Sequence, residues 1–297
     1  MHVLSLVPVN LALQLFKGAK YDQSTNLAET HLPVVVWHGM GDSYNSESMH
    51  WVNETLNSYI PGLDVYSIAL KEDGRGDQEA SIVGDAMTQI LQVCEQLHQE
   101  SALNEGFNAI GFSQGGLFLR SAMELCGLPI NNLITYGSPH NGVVDLPECD
   151  SWLCKQRNAF LKKHIYDDKI QDSIIQAQYF RDVYNYDEYM EKSAFLKYVN
   201  NELVVNRTYS ENLQRLNKLV LVKFDRDKTL VPKESAWFYD IDTVTGDSIP
   251  FTQTENFEYD LIGIRKLYGE GRIDFKEVDG QHMEINEKDL KEIIGYL

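Results

Sequence analysis

Apolar and polar positions follow two alternating rhythms along the first half of the chain. Short unbroken apolar runs, such as "LPVVVWHGM" (32–40), predict buried strands, with β-branched residues clustered just behind Pro33. Where apolar residues recur every three or four positions, as at Ile82, Ala86, Ile90, Val93 and Leu97, the spacing predicts a helix face. Strands are expected on this basis at 32–40, 63–70, 106–112 and 132–139, and helices at 46–59, 77–99 and 114–126. Such alternation implies βαβ units and a mainly parallel sheet with helices on both faces. Functional groups in sheets of this kind gather at the carboxyl ends of strands. The chain places "HGMGDS", "GFSQGG", "GSPHNG" and "DRD" there.

The rhythm lapses between about 145 and 215, a stretch rich in Tyr, Lys, Asp and Glu at helical spacing. It reads as a helical insertion, a cap over the carboxyl edge of the sheet. Alternation resumes with a strand at 218–224, a helix near 257–268, a strand at 272–280 and a closing helix from about 286. With no internal repeat or low-complexity linker, the expected organisation is one α/β domain over 31–297 carrying the insertion. Residues 1–30 are a candidate signal peptide or its remnant. They are mildly apolar from Val3 to Phe16 but lack a basic start and are interrupted by Pro8 and Asn10.

Charge narrows the partners. Against 26 Lys and Arg stand 44 Asp and Glu, a formal charge of −18. That balance argues against nucleic acid, which needs clustered cations, and against adsorption to anionic membranes through a polybasic face. No run approaches the roughly 20 apolar residues of a membrane span. The sequons at Asn53 and Asn206, with an even count of cysteines, favour residence in the secretory pathway. Cys94, Cys126, Cys149 and Cys154 permit two disulfides in three pairings, or four buried thiols.

The chemistry starts at Gly111-Phe112-Ser113-Gln114-Gly115, a Gly-x-Ser-x-Gly pattern between a predicted strand and a predicted helix. A nucleophile at such an elbow sits at strained backbone angles, and side chains two residues either side would collide. A serine hydroxyl needs a base, and in this fold the partners follow in the order Ser, acid, His. Three histidines follow Ser113. His164 lies in the charged insertion and reads as a surface residue. His140 follows a strand but has no late acid strand before it, and it reads as pinning a loop beside the site. His282, between the last strand and the last helix, stands where the base belongs. The acid is Asp225 or Asp227, two apart after "LVLVKF", and spacing does not choose between them. An oxyanion hole would use the backbone N–H of Gln114 and one from Gly39, Met40 or Gly41. His38 in that loop also reads as a packed turn residue.

"WHGMGDS", "GFNAIGFSQGGLFLR", "VKFDRDKTLVPKESAWF" and the late Gly280-Gln281-His282-Met283 resemble, in order and spacing, the palmitoyl-protein thioesterases of the α/β-hydrolase superfamily. The likeness runs from about residue 32 to the end. It implies a catalytic set of Ser113, Asp227 and His282, with oxyanion donors at Met40 and Gln114. It also implies disulfides Cys94–Cys126 and Cys149–Cys154, a glycan at Asn206, and lysosomal, vacuolar or secreted residence as a monomer. Its substrates would be S-palmitoylated proteins or peptides and other fatty acyl thioesters, with no metal or organic cofactor. One departure is Tyr44-Asn45, where animal members carry adjacent cysteines. The alternatives are an oxygen-ester lipase or carboxylesterase, or an acyl-CoA hydrolase, with the same residues. From another class, an inactive lipid carrier could share the fold.

Overall fold

A computed structural model of the chain describes residues 31–147 and 151–297. Six strands form one all-parallel sheet: β1 (Val34–Trp37), β2 (Val65–Ser67), β3 (Phe107–Phe112), β4 (Ile130–Tyr136), β5 (Lys218–Phe224) and a last strand, Ile273–Val278. Their order is β2-β1-β3-β4-β5-last. The order reverses between β1 and β3, and ligands bind outside the carboxyl ends of strands at such a switch point.

Period-two alternation explains why both faces are covered. Val34 and Val36 of β1 point into one core, with Met49, Val52 and Leu56 of α1 (Glu47–Tyr59) and Leu290 and Ile293 near the C-terminus. Val35 and Trp37 point into the other. That core holds Ile90 and Val93 of α3 (Ala86–Gln99) and Leu117 and Phe118 of α4 (Gln114–Cys126), beyond the short α2 (Gly74–Ala80). The Cys94–Cys126 disulfide joins α3 to the end of α4. Cys149 and its expected pairing with Cys154 lie outside the described residues.

The insertion is helical but in short pieces: α5 (Trp152–Lys163), α6 (Asp168–Gln171), α7 (Ile175–Gln178), α8 (Tyr186–Lys192), α9 (Leu196–Val199) and α10 (Arg207–Leu213). Side-chain oxygens compete for backbone donors between them, as where Asp182 accepts from the amides of Tyr184 and Asn185. Beyond β5 come a small hairpin, β6 (Asp240–Ile241) and β7 (Ser248–Ile249), then α11 (Glu255–Glu258) and α12 (Ile264–Gly269). The strand Ile273–Val278 is β8, and α13 (Glu287–Lys291) closes the chain behind an Asn286 capping box.

Several boundaries differ from the periodicity. The helix expected at 77–99 breaks into α2 and α3, because Gly84 sits at φ 146° and Asp85 caps the second piece through the Thr88 amide. Ile82, expected on a buried face, is instead exposed. The helix near 257–268 divides at Asp260 and Gly263, both at positive φ. The strand expected at 63–70 pairs over only three residues, and that at 132–139 ends at Tyr136, leaving "GSPHNG" as a turn. This is an α/β-hydrolase fold.

Candidate active site

Ser113 occupies the one residue between β3 and α4, at φ 51° and ψ −121°. A non-glycine residue holds such angles only where its surroundings over-determine them. Here they do. The Ser113 amide donates to the Tyr136 carbonyl (2.7 Å), and its carbonyl accepts from Gly116 (3.1 Å). A Cβ on Gly111 would lie 2.2 Å from the Gly116 Cα, and one on Gly115 2.3 Å from the Trp37 carbonyl oxygen. The glycines are therefore a clearance requirement that lets β1, β3 and α4 converge on the serine.

His282 lies in the turn after β8, with Met283 beside it at φ 62°. Its Nε2 is 2.9 Å from Ser113 Oγ and its Nδ1 2.6 Å from Asp227 Oδ2. Facing a carboxylate, Nδ1 carries the proton, so Nε2 accepts from the serine hydroxyl. Asp227 is buried, and its other oxygen accepts from the amides of Thr229 and Leu230, both at 2.9 Å. Asp225 points elsewhere. Its Oδ1 accepts from the Gly280 amide (2.9 Å), fastening the turn that carries His282. The two aspartates, indistinguishable by spacing, serve the same histidine by different means.

The loop after β1 brings Met40 to the edge of the same site, where it lines a cavity with Ser113 and His282. Gln114 begins α4, so its backbone N–H belongs to the first turn, which has no partner within the helix. Gly39 packs against the elbow, since a Cβ there would lie 3.2 Å from Ser113 Cβ. The Gly41 amide donates to Ser81 Oγ (2.8 Å), and its carbonyl accepts from Gln78 (2.6 Å). The Gln114 side chain is buried. It donates to the Ser81 carbonyl and accepts from Gln176 and the Tyr179 hydroxyl of the insertion.

Beneath this loop lies a second histidine–carboxylate pair. His38 Nε2 is 2.9 Å from Asp77 Oδ2 and its Nδ1 2.9 Å from the Gly39 carbonyl, so each nitrogen faces an acceptor, an arrangement that favours the doubly protonated ring. Burial alone would lower the His38 pKa. The Asp77 carboxylate and the Gly39 carbonyl outweigh it, and the net shift is upward. Burial opposes the Asp77 anion too, but His38 and the amides of Tyr44 and Leu70 hold its pKa below the usual value. Asp77 carried no catalytic signature in the sequence, having read as the start of a long helix. His38 reads correctly as packed, but its partner 39 residues on has no local signal.

Neither His140 nor His164 is bonded to Ser113. His140 is fully buried, stacked on Phe238 and bonded to Thr135 Oγ1 (2.9 Å), and burial holds its pKa well below normal. His164 is partly exposed and bonded to Asp167 (2.8 Å), though it also reaches the cavity wall. Asn206 is exposed at the start of α10, whereas Asn53 sits half-buried within α1.

The cavity that opens at Ser113 and His282 has a volume of about 540 Å³. Its walls are mostly apolar, including Val143, Leu146, Ile165, Ile170, Ile174 and Leu230, and largely come from the insertion. An apolar groove ending at a hydroxyl that faces a histidine nitrogen has the character of a site for a long hydrocarbon tail. Among the described residues, no cluster of three or more His, Cys, Asp or Glu side chains is arranged to hold a metal ion. No helix among them is long and apolar enough to cross a membrane.

Comparison with known proteins matches residues 33–282 to the palmitoyl protein thioesterase family. The chain is 37% identical over 287 residues to palmitoyl-protein thioesterase 1 of Caenorhabditis elegans, covering 94% of each. It is 34% identical over 247 residues to palmitoyl-protein thioesterase 3 of Dictyostelium discoideum, covering 82% of each. It is 28% identical over 278 residues to the lysosomal thioesterase PPT2 homolog of Drosophila melanogaster, covering 89% of this chain and 90% of that one.

Proposed function

The chain belongs to the palmitoyl protein thioesterase family, and from that premise we propose that it removes long-chain fatty acyl groups from S-acylated cysteines of proteins or peptides. The observation that carries the reading is a single line of contacts, Asp227 to His282 to Ser113, ending at the mouth of an apolar cavity.

His282 Nε2 takes the hydroxyl proton as Ser113 Oγ attacks the thioester carbonyl. Asp227 holds the ring in the tautomer that leaves Nε2 free and stabilises the imidazolium that forms. The backbone N–H groups of Met40 and Gln114 receive the charge on the carbonyl oxygen. The tetrahedral intermediate collapses with loss of the cysteine sulfur, and His282 returns the proton to it. A thiol with a pKa of about 8.5 leaves more readily than an alkoxide, so this protonation is a light task. Water, deprotonated by His282, then attacks the acyl-serine and releases the fatty acid.

The apolar walls sort substrates by chain length. Each further methylene seated contributes about 0.8 kcal/mol, roughly fourfold in kcat/KM. The exposed Asn206, the Cys94–Cys126 disulfide and relatives named lysosomal thioesterases support a glycosylated protein of the lysosome or a related secretory compartment.

Matched palmitoyl thioesters and oxygen esters of one peptide test the substrate class. The proposal expects the thioester to be turned over with the higher kcat/KM. Equal or faster cleavage of the oxygen ester would assign the site to a lipase or carboxylesterase.

A further inference from the structure

The helix α5 (Trp152–Lys163) stands apart from the rest of this acidic chain. Its sequence carries Lys155, Arg157, Lys162 and Lys163 and no carboxylate, within a chain of net charge −18. Among its described positions Trp152, Lys155, Gln156, Ala159, Phe160 and Lys163 are exposed along one stripe, at intervals of one, three or four residues, and Leu161 is exposed on the opposite side. Trp152 is 73% exposed and Phe160 63%, an unusual display for two aromatic residues on one helix. Lys162 turns the other way, to Asp145 (3.3 Å) and the Phe180 ring.

The stripe meets the acyl cavity at one edge. Phe160 belongs both to the exposed stripe and to the cavity wall, with Leu161 beside it. Met40, which also lines the cavity, is 42% exposed, and Val83, 47% exposed, pairs with Ile174 of the wall. Apolar side chains that line or adjoin the cavity are thus exposed to solvent.

Aromatic residues interleaved with lysines on one helix face match an element that lies in the headgroup region of a bilayer. Resting on the thioesterase reading above, we propose that the outer face of α5 docks the protein on the surface of an anionic lipid bilayer, with the acyl cavity opening toward the lipid. Trp152 and Phe160 enter the interface while Lys155 and Lys163 face the anionic headgroups. The acyl chain of a membrane-held substrate then passes from lipid to groove along a continuous apolar rim. Net charge, which argues against such adsorption, is a sum over the whole chain. Over a Debye length of about 8 Å the charges nearest the face decide: the cations of α5 itself, with Asp145 neutralising Lys162 and Asp167 and Asp168 beyond the far end of the helix.

The test uses the full chain and vesicles of phosphatidylcholine with or without phosphatidylserine. Co-sedimentation should occur with the mixed vesicles, weaken with salt, and be marginal with phosphatidylcholine alone. Each cation near an anionic surface is worth about fivefold in binding, so Lys155→Glu with Lys163→Glu should weaken it at least about tenfold. Trp152→Ser should weaken it several-fold. All three substitutions lie outside the cavity wall, so turnover of a water-soluble acyl thioester should stay within about twofold of the parent chain. Absence of sedimentation with mixed vesicles, equal binding to neutral vesicles, or parental binding by the charge-reversed variant would each overturn the docking surface. Failure to turn over the soluble thioester would instead overturn the thioesterase reading, so the two outcomes stay distinguishable.

Discussion

Two histidine–aspartate pairs lie close to one strand switch point, and they differ in what their second nitrogen faces. His282 gives one nitrogen to Asp227 and the other to a hydroxyl, so it keeps a lone pair for proton transfer. His38 gives one to Asp77 and the other to a carbonyl, so both face acceptors. The His38–Asp77 pair is almost completely buried, whereas the His282 side chain is 14% exposed at the cavity. The same two side chains therefore leave one nitrogen facing a hydroxyl in one place and are committed on both sides in the other. A histidine beside a carboxylate says little about catalysis until its other nitrogen is traced.

The largest expected effect separates the pairs by chemistry. Ser113→Ala and His282→Ala should each lower kcat by roughly 10⁴- to 10⁶-fold in steady-state thioester hydrolysis, with thermal stability nearly unchanged. Asp227→Asn should cost about 10²- to 10⁴-fold, since the ring loses the partner that fixes its tautomer. Asp225→Asn should stay within about tenfold, because it loosens the Gly280 turn without touching the imidazole. A larger loss for Asp225→Asn than for Asp227→Asn would reverse the assignment.

Breaking the His38–Asp77 pair should show the opposite balance. Asp77→Asn removes the carboxylate that favours the charged ring, leaving burial to drive His38 neutral, and should cost about 3 kcal/mol of stability, measured by chemical denaturation. Its effect on kcat should be smaller than that of Asp227→Asn, acting only through the position of the loop bearing Met40. Loss of activity on the scale of His282→Ala, with stability intact, would place the pair in the chemistry.

The smallest effect is in pH dependence. The His38 pKa is raised, so its contribution is complete below the ordinary value of 6.5 and is lost as pH rises through the raised value. The Asp77 pKa is lowered, so its contribution is complete above 3.8 and is lost as pH falls through the lowered value. The stability difference between the parent chain and Asp77→Asn should therefore be greatest between about pH 4 and 6.5 and shrink above it. A difference that grows from pH 6.5 to 9 would contradict an ion pair here.

The contrast also marks how far the sequence could be read. The elbow was legible because clearance at Gly111 and Gly115 is a local steric demand that only glycine meets. Chain order singled out His282, after the last strand, and it is the histidine that lies beside Ser113. Asp227 could not be separated from Asp225 by spacing, because what distinguishes them is the amides of Thr229 and Leu230. The parallel sheet was legible from unbroken apolar runs, but the break at Gly84 was not, because the apolar period continues across it. His38–Asp77 and the Gln114–Gln176–Tyr179 contacts were invisible, for they join residues far apart through side-chain hydrogen bonds that leave no periodic trace. The short helices of the insertion, four to seven residues each beyond α5, are too brief to show a hydrophobic period, and α6 to α9 begin without a side-chain cap.

Everything proposed for this site turns on Ser113 carrying the acyl group during turnover. Rapid acid quench of the protein during hydrolysis of a palmitoyl thioester, followed by proteolysis and mass spectrometry of the peptides, tests it most directly. A palmitoyl ester should appear on Ser113, and neither the ester nor turnover should survive Ser113→Ala. Turnover that persists in Ser113→Ala, or an acyl group on any other residue, would contradict it.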